Sequence, residues 1–538
     1  MAPKASAWGK RGRMNGSLQE YWNRAQQHLS SGQITAARVQ YEALQARAPD
    51  HLRTLLLATQ IDWNEGRVRD ASRSALVAAR AAQGNAEALD DATRALIEVG
   101  EEKEATAELQ RATRADAKPG PFLWAAAMHL QRLGLHGEAL AVLERMRALG
   151  FAGPALDFYL GQQLLFNGRP EEAESMLRGV VEQVPAFGTA MLPLVRLRRQ
   201  TTGDNRLALI EKGLREAARG TRDEAALDFA LYHTLEDLGR HDEAWLALAR
   251  GNDRMRARNP HDAAQQSRYV DHCIASIGPD SPVIPGGQDG PQPIFIVGLP
   301  RSGSTVLERM LGNHTHVASA GELTTLGRAF QWATDATDIQ SESFLARLRG
   351  LEFTEVGERY LEQSRWRARG KPFFIDKQPP NWWLAGLIPA ALPKARILNL
   401  VREPMDVCFS NFRAFCGDDY AYCYDLASIA STWHDYHRLM GHWHSVSPGA
   451  ILDVRYDELV REPEVALRAV LDFCGLPWEP DCIDIARNRT PVATLSAAQV
   501  RSKLRMRGAE EWAPYASQLE PLRSMLKGRH PLDGAAMP

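Results

Sequence analysis

Three stretches of this 538-residue chain set cations and hydroxyls where an apolar strand gives way to a loop or helix. Pro293 to Gly298 reads PIFIVG, a run of buried-strand type. LPRSGS follows, and TVLERMLG then spaces Val306, Leu307, Met310 and Leu311 along one face of a helix. A strand, tight loop and helix bring backbone N–H groups and the positive end of the helix dipole to one point, which suits a phosphate or sulfate group. Gly298 and Gly303 keep the G-x4-G spacing of the nucleotide P-loop, but Ser304 stands where that motif needs lysine. A P-loop kinase is disfavoured on that ground, and Arg301 supplies the positive charge of the loop instead.

The second stretch, FFIDKQPPNWW, ends an apolar strand at Asp376 and Lys377, where a proline pair stops it. In an open α/β sheet that end is where ligands bind, and a fixed ammonium there opposes charge developing on a bridging oxygen. The third, ARILNLVREPMDVCFSNF, ends a strand at Val401 and starts a helix after Pro404. Arg402 at that junction can fork onto two phosphate oxygens, with Ser410 two helical turns on, or it can pair with Glu403 or Asp406. Glu322, in ASAGELTT, is a carboxylate able to take a proton and also suits a helix N-terminus. His314 and His316 are further side chains able to take a proton.

Together these motifs resemble the PAPS-dependent sulfotransferases, above all the tyrosylprotein branch and its bacterial tetratricopeptide-fused relatives. The likeness runs over most of residues 291 to 525 and rests on LPRSGSTVLERMLGNHTHVASAGEL, the D-K-x-P lysine, the strand-end arginine with its serine, and ILDVRYDEL. It implies that Arg301, Ser302, Gly303, Ser304 and Thr305 bind the 5'-phosphosulfate of PAPS and that Arg402 and Ser410 bind the 3'-phosphate. Tyr456 would lie beside the nucleotide, and Ser496 would touch it. Glu322 would act as base, with Lys377 and Arg301 stabilising the transferred group; adenosine 3',5'-bisphosphate is the expected product. Glu510 and Glu511 depart from the pattern, standing where relatives carry serine and lysine, and carboxylates repel a phosphate. Arg501, Lys503, Arg505 and Arg507 are basic at every second position and could offset them or form a solvated strip. The family needs no metal, and the histidines of HDYHRLMGHWH, His434, His437, His442 and His444, are read as a polar helix face.

What positions these motifs is an α/β domain with a parallel sheet, and what precedes it is a repeat array. Gly32, Gly66, Gly100, Gly134 and Gly168 are each followed five residues later by alanine and recur every 34 residues. That period resembles tetratricopeptide repeats, in which a glycine ends one helix and a small residue lets the next pack closely. Gly203 with Ala208 and Gly239 with Ala244 continue it with slight drift, giving about seven hairpins between Ser17 and Arg256. The expected organisation is a disordered N-terminus over 1–16, a tetratricopeptide superhelix over 17–256, a linker over 257–291 and a sulfotransferase domain over 292–530. The array would recruit a peptide or protein substrate, bind a partner, or join a second copy of the chain.

Composition narrows the classes further. With 64 Lys plus Arg against 66 Asp plus Glu, the net charge of -2 gives no field to hold nucleic acid or an anionic membrane. Six cysteines without C-x-x-C pairing suit neither a zinc module nor a disulfide-stapled domain. The N-terminus lacks an apolar signal core, and no run reaches the ~18 apolar residues of a membrane span, so a cytoplasmic protein is expected. The expected reaction is sulfuryl transfer to tyrosine of a peptide or protein. Transfer to a small phenol, glycan or lipid, and a non-catalytic scaffold, are the alternatives.

Overall fold

The structure is a computed structural model and describes residues 16–83, 86–114, 122–278, 290–488, 490–493 and 510–527. Among these, seven helix pairs come first: α1 (Gly16–Ser30) with α2 (Ile34–Gln45), α3 (Leu52–Asn64) with α4 (Val68–Ala81), α5 (Ala86–Val99) with α6 (Glu102–Ala112), and α7 (Phe122–Arg132) with α8 (His136–Ala148). Then follow α9 (Pro154–Phe166) with α10 (Pro170–Gln183), α11 (Gly188–Leu197) with α12 (Leu207–Glu216), and α13 (Arg222–Asp237) with α14 (His241–Arg258).

The hinge glycines explain the pairing. Gly32, Gly66, Gly100, Gly134, Gly168 and Gly239 have φ between 70° and 85°, a left-handed conformation that glycine adopts without strain. The residue after each donates its N–H to a carbonyl five residues back, as Gln33 does to His28 and Arg169 to Leu164. That bond closes the helix end in a Schellman motif. The alanine five residues beyond each glycine, from Ala37 to Ala244, is fully buried, so the second helix lies close against the first. Gly203 and Ala208 do not repeat this geometry. Gly203 has no positive φ and sits in the 198–206 connection, and Ala208 is exposed.

The chain divides into two compact units, Met1–Leu149 with Thr324–Trp366, and Gly150–Leu323 with Arg367–Pro538. In the first, α1 to α8 are joined by a segment from the C-terminal half of the sequence. Arg69 donates its N–H to Asp335 Oδ1 at 3.0 Å and its guanidinium to Glu355 Oε2 at 2.8 Å. Gln363 donates to the buried Glu101 at 3.0 Å and accepts from the Lys103 N–H at 3.0 Å.

In the second unit, α9 to α14 are followed by α15 (Ala263–Ser276), which corrects the linker reading of 257–291. Tyr269, Val270 and Cys273 fall on one helical face and are buried, Asp262 caps the start, and Ser267 donates to Asp435 at 2.8 Å. Its register was hidden by the polar residues around it. Residues 279–289 of that stretch, and 1–15 of the expected disordered terminus, lie outside the described residues; Gly16 opens α1.

The α/β part holds a five-stranded, wholly parallel sheet in the order β2 (Val317–Ser319), β3 (Phe373–Asp376), β1 (Gln292–Gly298), β4 (Arg396–Val401), β5 (Ile451–Arg455). Register aligns Ile294 with Ile375 on one side of β1 and Ile296 with Leu398 on the other. The remaining helices are α16 (Ser304–Leu311), α17 (Thr325–Thr334), α18 (Glu342–Leu348), α19 (Phe353–Ser364), α20 (Ile388–Ala391), α21 (Pro404–Phe412), α22 (Leu426–Val446), α23 (Tyr456–Arg461), α24 (Pro463–Cys474) and α25 (Glu520–Leu526); α17 to α19 belong to the first unit. Ile294, Ile296, Ile375, Leu398 and Leu400 pack against Leu307, Met310, Leu467 and Leu471 in one core, as expected for parallel strands covered on both faces. No described helix is long and apolar enough to cross a membrane.

Candidate active site

Each of the five strands delivers one candidate residue at or just beyond its C-terminal end. β1 leads into the Arg301 loop, β2 to Glu322, β3 to Lys377, β4 to Arg402 and β5 to Tyr456. Strand order reverses about β1, and such a switch point is where open parallel sheets bind ligands.

The loop after β1 is built on unusual backbone. Gly298 has φ 140°, Arg301 φ 68° and Gly303 φ 109°. A left-handed arginine costs on the order of 1 kcal/mol, and such strain clusters where function fixes it. Two loop carbonyls are held: Asn411 Nδ2 donates to Pro300 O at 2.8 Å and Arg402 Nη1 to Arg301 O at 3.1 Å. A trans peptide directs the Arg301 N–H away from the bound Pro300 carbonyl. A side chain at Gly303 would meet the Tyr456 ring, 2.1 Å from a Cβ, so that ring closes one wall of the loop. The Arg402 guanidinium stacks 4.9 Å from the centre of the same ring. Arg301 Nε donates to Ser410 Oγ at 3.2 Å, joining two residues 109 apart in sequence. Ser304 and Thr305 open α16, whose first N–H groups have no intrahelical acceptor. Ser302 is buried beside Gly298, and its hydroxyl has no partner among the described residues.

Lys377 is 1% exposed in its side chain and touches Glu322, while Glu308 Oε2 lies 3.8 Å away. Burial opposes its charge, but Glu322 and Glu308 outweigh burial and raise its pKa above the ordinary lysine value. Burial pushes the Glu308 carboxyl up, against the pull of Lys377 and Ser319. Glu308, on α16, was missed because a glutamate in STVLERML reads as ordinary helix charge. Glu322, 42% exposed, is the open member of the trio. His314 is engaged elsewhere: its Nδ1 accepts from the His316 N–H at 3.1 Å, so its Nε2 donates to Pro477 O at 2.9 Å. His316 is exposed.

The structure adds cations that sequence reasoning missed. Arg413, just past α21, binds Glu236 of α13 at 3.4 Å and also Glu511. Burial opposes its charge, but Tyr232, Glu236 and Glu511 outweigh it and its pKa rises. The Glu511 carboxylate, expected to repel a phosphate, is held by that guanidinium. Burial and the neighbouring Arg413 lower Arg301 to about 10; burial, Arg301 and Arg413 lower Arg196 of α11 to about 9. His233 of α13 is driven well below the usual histidine value by burial and by Arg196, Arg413 and Arg301. Charges on two helices of the repeat array therefore act on the Arg301 guanidinium and its neighbours, an influence no local motif announces. The histidines of α22 hold separate partners: His434 binds Met525 O at 2.9 Å, His442 binds Ile277 O at 2.7 Å, and His444 binds Asp453 at 3.1 Å. Ser496, Arg501, Lys503, Arg505 and Arg507 lie outside the described residues.

Cationic side chains, hydroxyls and the N–H groups of a helix N-terminus make a donor set that fits a nucleotide phosphate, while Lys377 and Glu322 form a separate acid–base pair. Residues 293–480 match the sulfotransferase family. An uncharacterized protein of Aquifex aeolicus (strain VF5) is 28% identical over 67% of this chain and 48% of its own length. The protein-tyrosine sulfotransferase of Drosophila melanogaster is 24% identical over 34% of this chain and 38% of its own; protein-tyrosine sulfotransferase A of Caenorhabditis elegans is 25% identical over 35% and 50%. The chain thus spans half or less of the length of these relatives. Among solved structures, the sulfotransferase domain of the curacin biosynthetic pathway is 19% identical over 43% of this chain and 99% of that one, with TM-score 0.27. Sulfotransferase STF1 of Mycobacterium tuberculosis H37Rv is 14% identical over 58% and 93%, with TM-score 0.28.

The C-terminal region is similar to the sulfotransferase family and, among its members, to the protein-tyrosine sulfotransferases. The N-terminal region is a helical-repeat array consistent with a tetratricopeptide-like solenoid.

Proposed function

We propose that the protein transfers a sulfuryl group from PAPS to a hydroxyl acceptor, tyrosine of a peptide or protein recruited by the repeat array. The observation that carries this reading is the Lys377–Glu322 pair, set at the ends of parallel strands whose central member leads into the strained Arg301 loop. PAPS supplies the sulfuryl group and leaves as adenosine 3',5'-bisphosphate. Arg301 to Thr305 hold its 5' end, Arg402 and Ser410 its 3'-phosphate, and Tyr456 walls the loop; the family likeness adds Ser496. Glu322 takes the acceptor proton, since it is the exposed carboxylate of the trio. Lys377 and Arg301 oppose the negative charge on the transferred group and its bridging oxygen. Two animal relatives named protein-tyrosine sulfotransferases support tyrosine as the acceptor. The Aquifex relative and the six free cysteines support a bacterial cytoplasm as the setting.

The test is transfer of labelled sulfate from PAPS to a tyrosine peptide by wild type and by Glu322→Gln. The variant should lose at least about 100-fold in turnover, the range of a general base, with bisphosphate affinity unchanged. Retained turnover would remove Glu322 from the base role. Failure of the wild type with every hydroxyl acceptor would overturn the enzymatic reading.

A further inference from the structure

Behind the phosphate loop, in the chain that follows α21, two thiols meet in the interior. Cys416 donates its S–H to Cys423 Sγ at 3.1 Å, and Cys423 donates to Asn411 Oδ1 at 3.4 Å. Six residues separate the cysteines, Gly417 to Tyr422. The turn is already closed by the Tyr424 hydroxyl, which donates to Gly417 O at 2.6 Å. Disulfide sulfurs lie about 2.05 Å apart, so bonding needs only ~1 Å of movement along an existing contact. We infer that Cys416 and Cys423 form a reversible disulfide site coupled to the loop through Asn411.

The coupling follows from the shared amide. While Cys423 donates to its oxygen, Asn411 Nδ2 donates to Pro300 O at 2.8 Å and to Val407 O at 2.8 Å. Oxidation removes the S–H and leaves that buried oxygen without its donor, loosening the group that anchors the loop carbonyl. Cys416 reacts first, being 6% exposed against 0% for Cys423. Burial meanwhile keeps the Cys423 thiol protonated.

Hydrogen peroxide is an oxidant small enough to enter. The Cys416 thiolate takes one peroxide oxygen, the O–O bond breaks, and hydroxide leaves and is protonated to water. Cys423 Sγ then attacks Cys416 Sγ, the S–O bond breaks, and the hydroxyl leaves with the Cys423 proton as a second water. Two thiols and one peroxide give one disulfide and two waters, and an external dithiol reverses the change.

The test uses the full wild-type chain, reduced, exposed to hydrogen peroxide and digested with trypsin. Both cysteines fall in the single peptide Ala414–Arg438, while Cys408 lies in another. That peptide should lose two hydrogens and regain them with dithiothreitol, and the thiol count of the denatured protein should fall from six to four. A peptide that stays reduced, gains only oxygen, or pairs with Cys408 would overturn the site. For the coupling, oxidised protein should bind adenosine 3',5'-bisphosphate roughly three- to tenfold more weakly, the worth of one buried hydrogen bond. Cys423→Ser, which keeps a hydroxyl donor for Asn411, should bind like reduced wild type and ignore peroxide. Unchanged affinity after proven oxidation would overturn the coupling. This second readout rests on the nucleotide reading above, whereas the mass readout does not; reduced wild type that binds no bisphosphate would fail that reading alone.

Discussion

Lys377 keeps a charge in the interior because two carboxylates hold it there. Removing one member of a buried ion pair costs about 3–5 kcal/mol, so Lys377→Met should lower both stability and turnover, visible as a drop in melting temperature beside a loss of kcat. The raised pKa also fixes a pH dependence. A lysine lifted above its ordinary value stays charged throughout the neutral and mildly alkaline range, so turnover should show no Lys377-linked decline up to about pH 9. An alkaline limb below that pH which Lys377→Arg shifts would contradict the assignment. Sequence placed Lys377 at a strand end and proposed Glu322 as base. It did not join them, since 55 residues separate the two, nor could it see Glu308 of α16 joined to Ser319 of β2 beside them.

At the scale of elements, the loop and the helices it meets depend on small residues in different ways. Gly303→Ala would place a Cβ 2.1 Å from the Tyr456 ring at φ 109°. It should abolish tight nucleotide binding and cost about 2 kcal/mol or more through strain and overpacking. Gly441→Ala, inside α22 with open space around its Cβ, should instead stabilise by about 0.5–1 kcal/mol; paired melts of the two variants test the contrast. The His444–Asp453 bond links α22 to β5. That hydrogen bond raises the His444 pKa against burial, and His444 lowers that of Asp453 although burial opposes it. A raised histidine stabilises fully below its unfolded pKa and loses that contribution as pH rises through the folded one. A lowered aspartate stabilises above its unfolded pKa and loses the contribution as pH falls. The melting advantage of wild type over His444→Gln should therefore be largest near pH 5–6 and shrink by pH 8. The hinge glycines and strand-end motifs were legible because each is a local backbone requirement. α15 was not, because its apolar face is only Tyr269, Val270 and Cys273 amid polar residues.

For the whole molecule, the repeats and the α/β part are not separable in the way the sequence is written. Within the second unit, Phe229 meets Phe415 at 5.5 Å, Trp245 meets Phe412 at 5.7 Å, and Asn252 donates to Phe412 O at 3.1 Å. A fragment starting at residue 290 would expose that aromatic seam and strip Arg413 of Glu236. It should fail to give a cooperative melt, while the full chain does. These contacts were invisible in the sequence because they join segments more than 150 residues apart, and the 34-residue period suggests a self-contained array. The central claim is that the Arg301 loop with Arg402 and Ser410 binds a nucleotide phosphorylated at both ends. Titration calorimetry with adenosine 3',5'-bisphosphate, beside ATP, tests it most directly. Tight binding of the bisphosphate, a weak response to ATP and a marked loss in Arg402→Ala are predicted; no binding of the bisphosphate, or a preference for ATP, would contradict it.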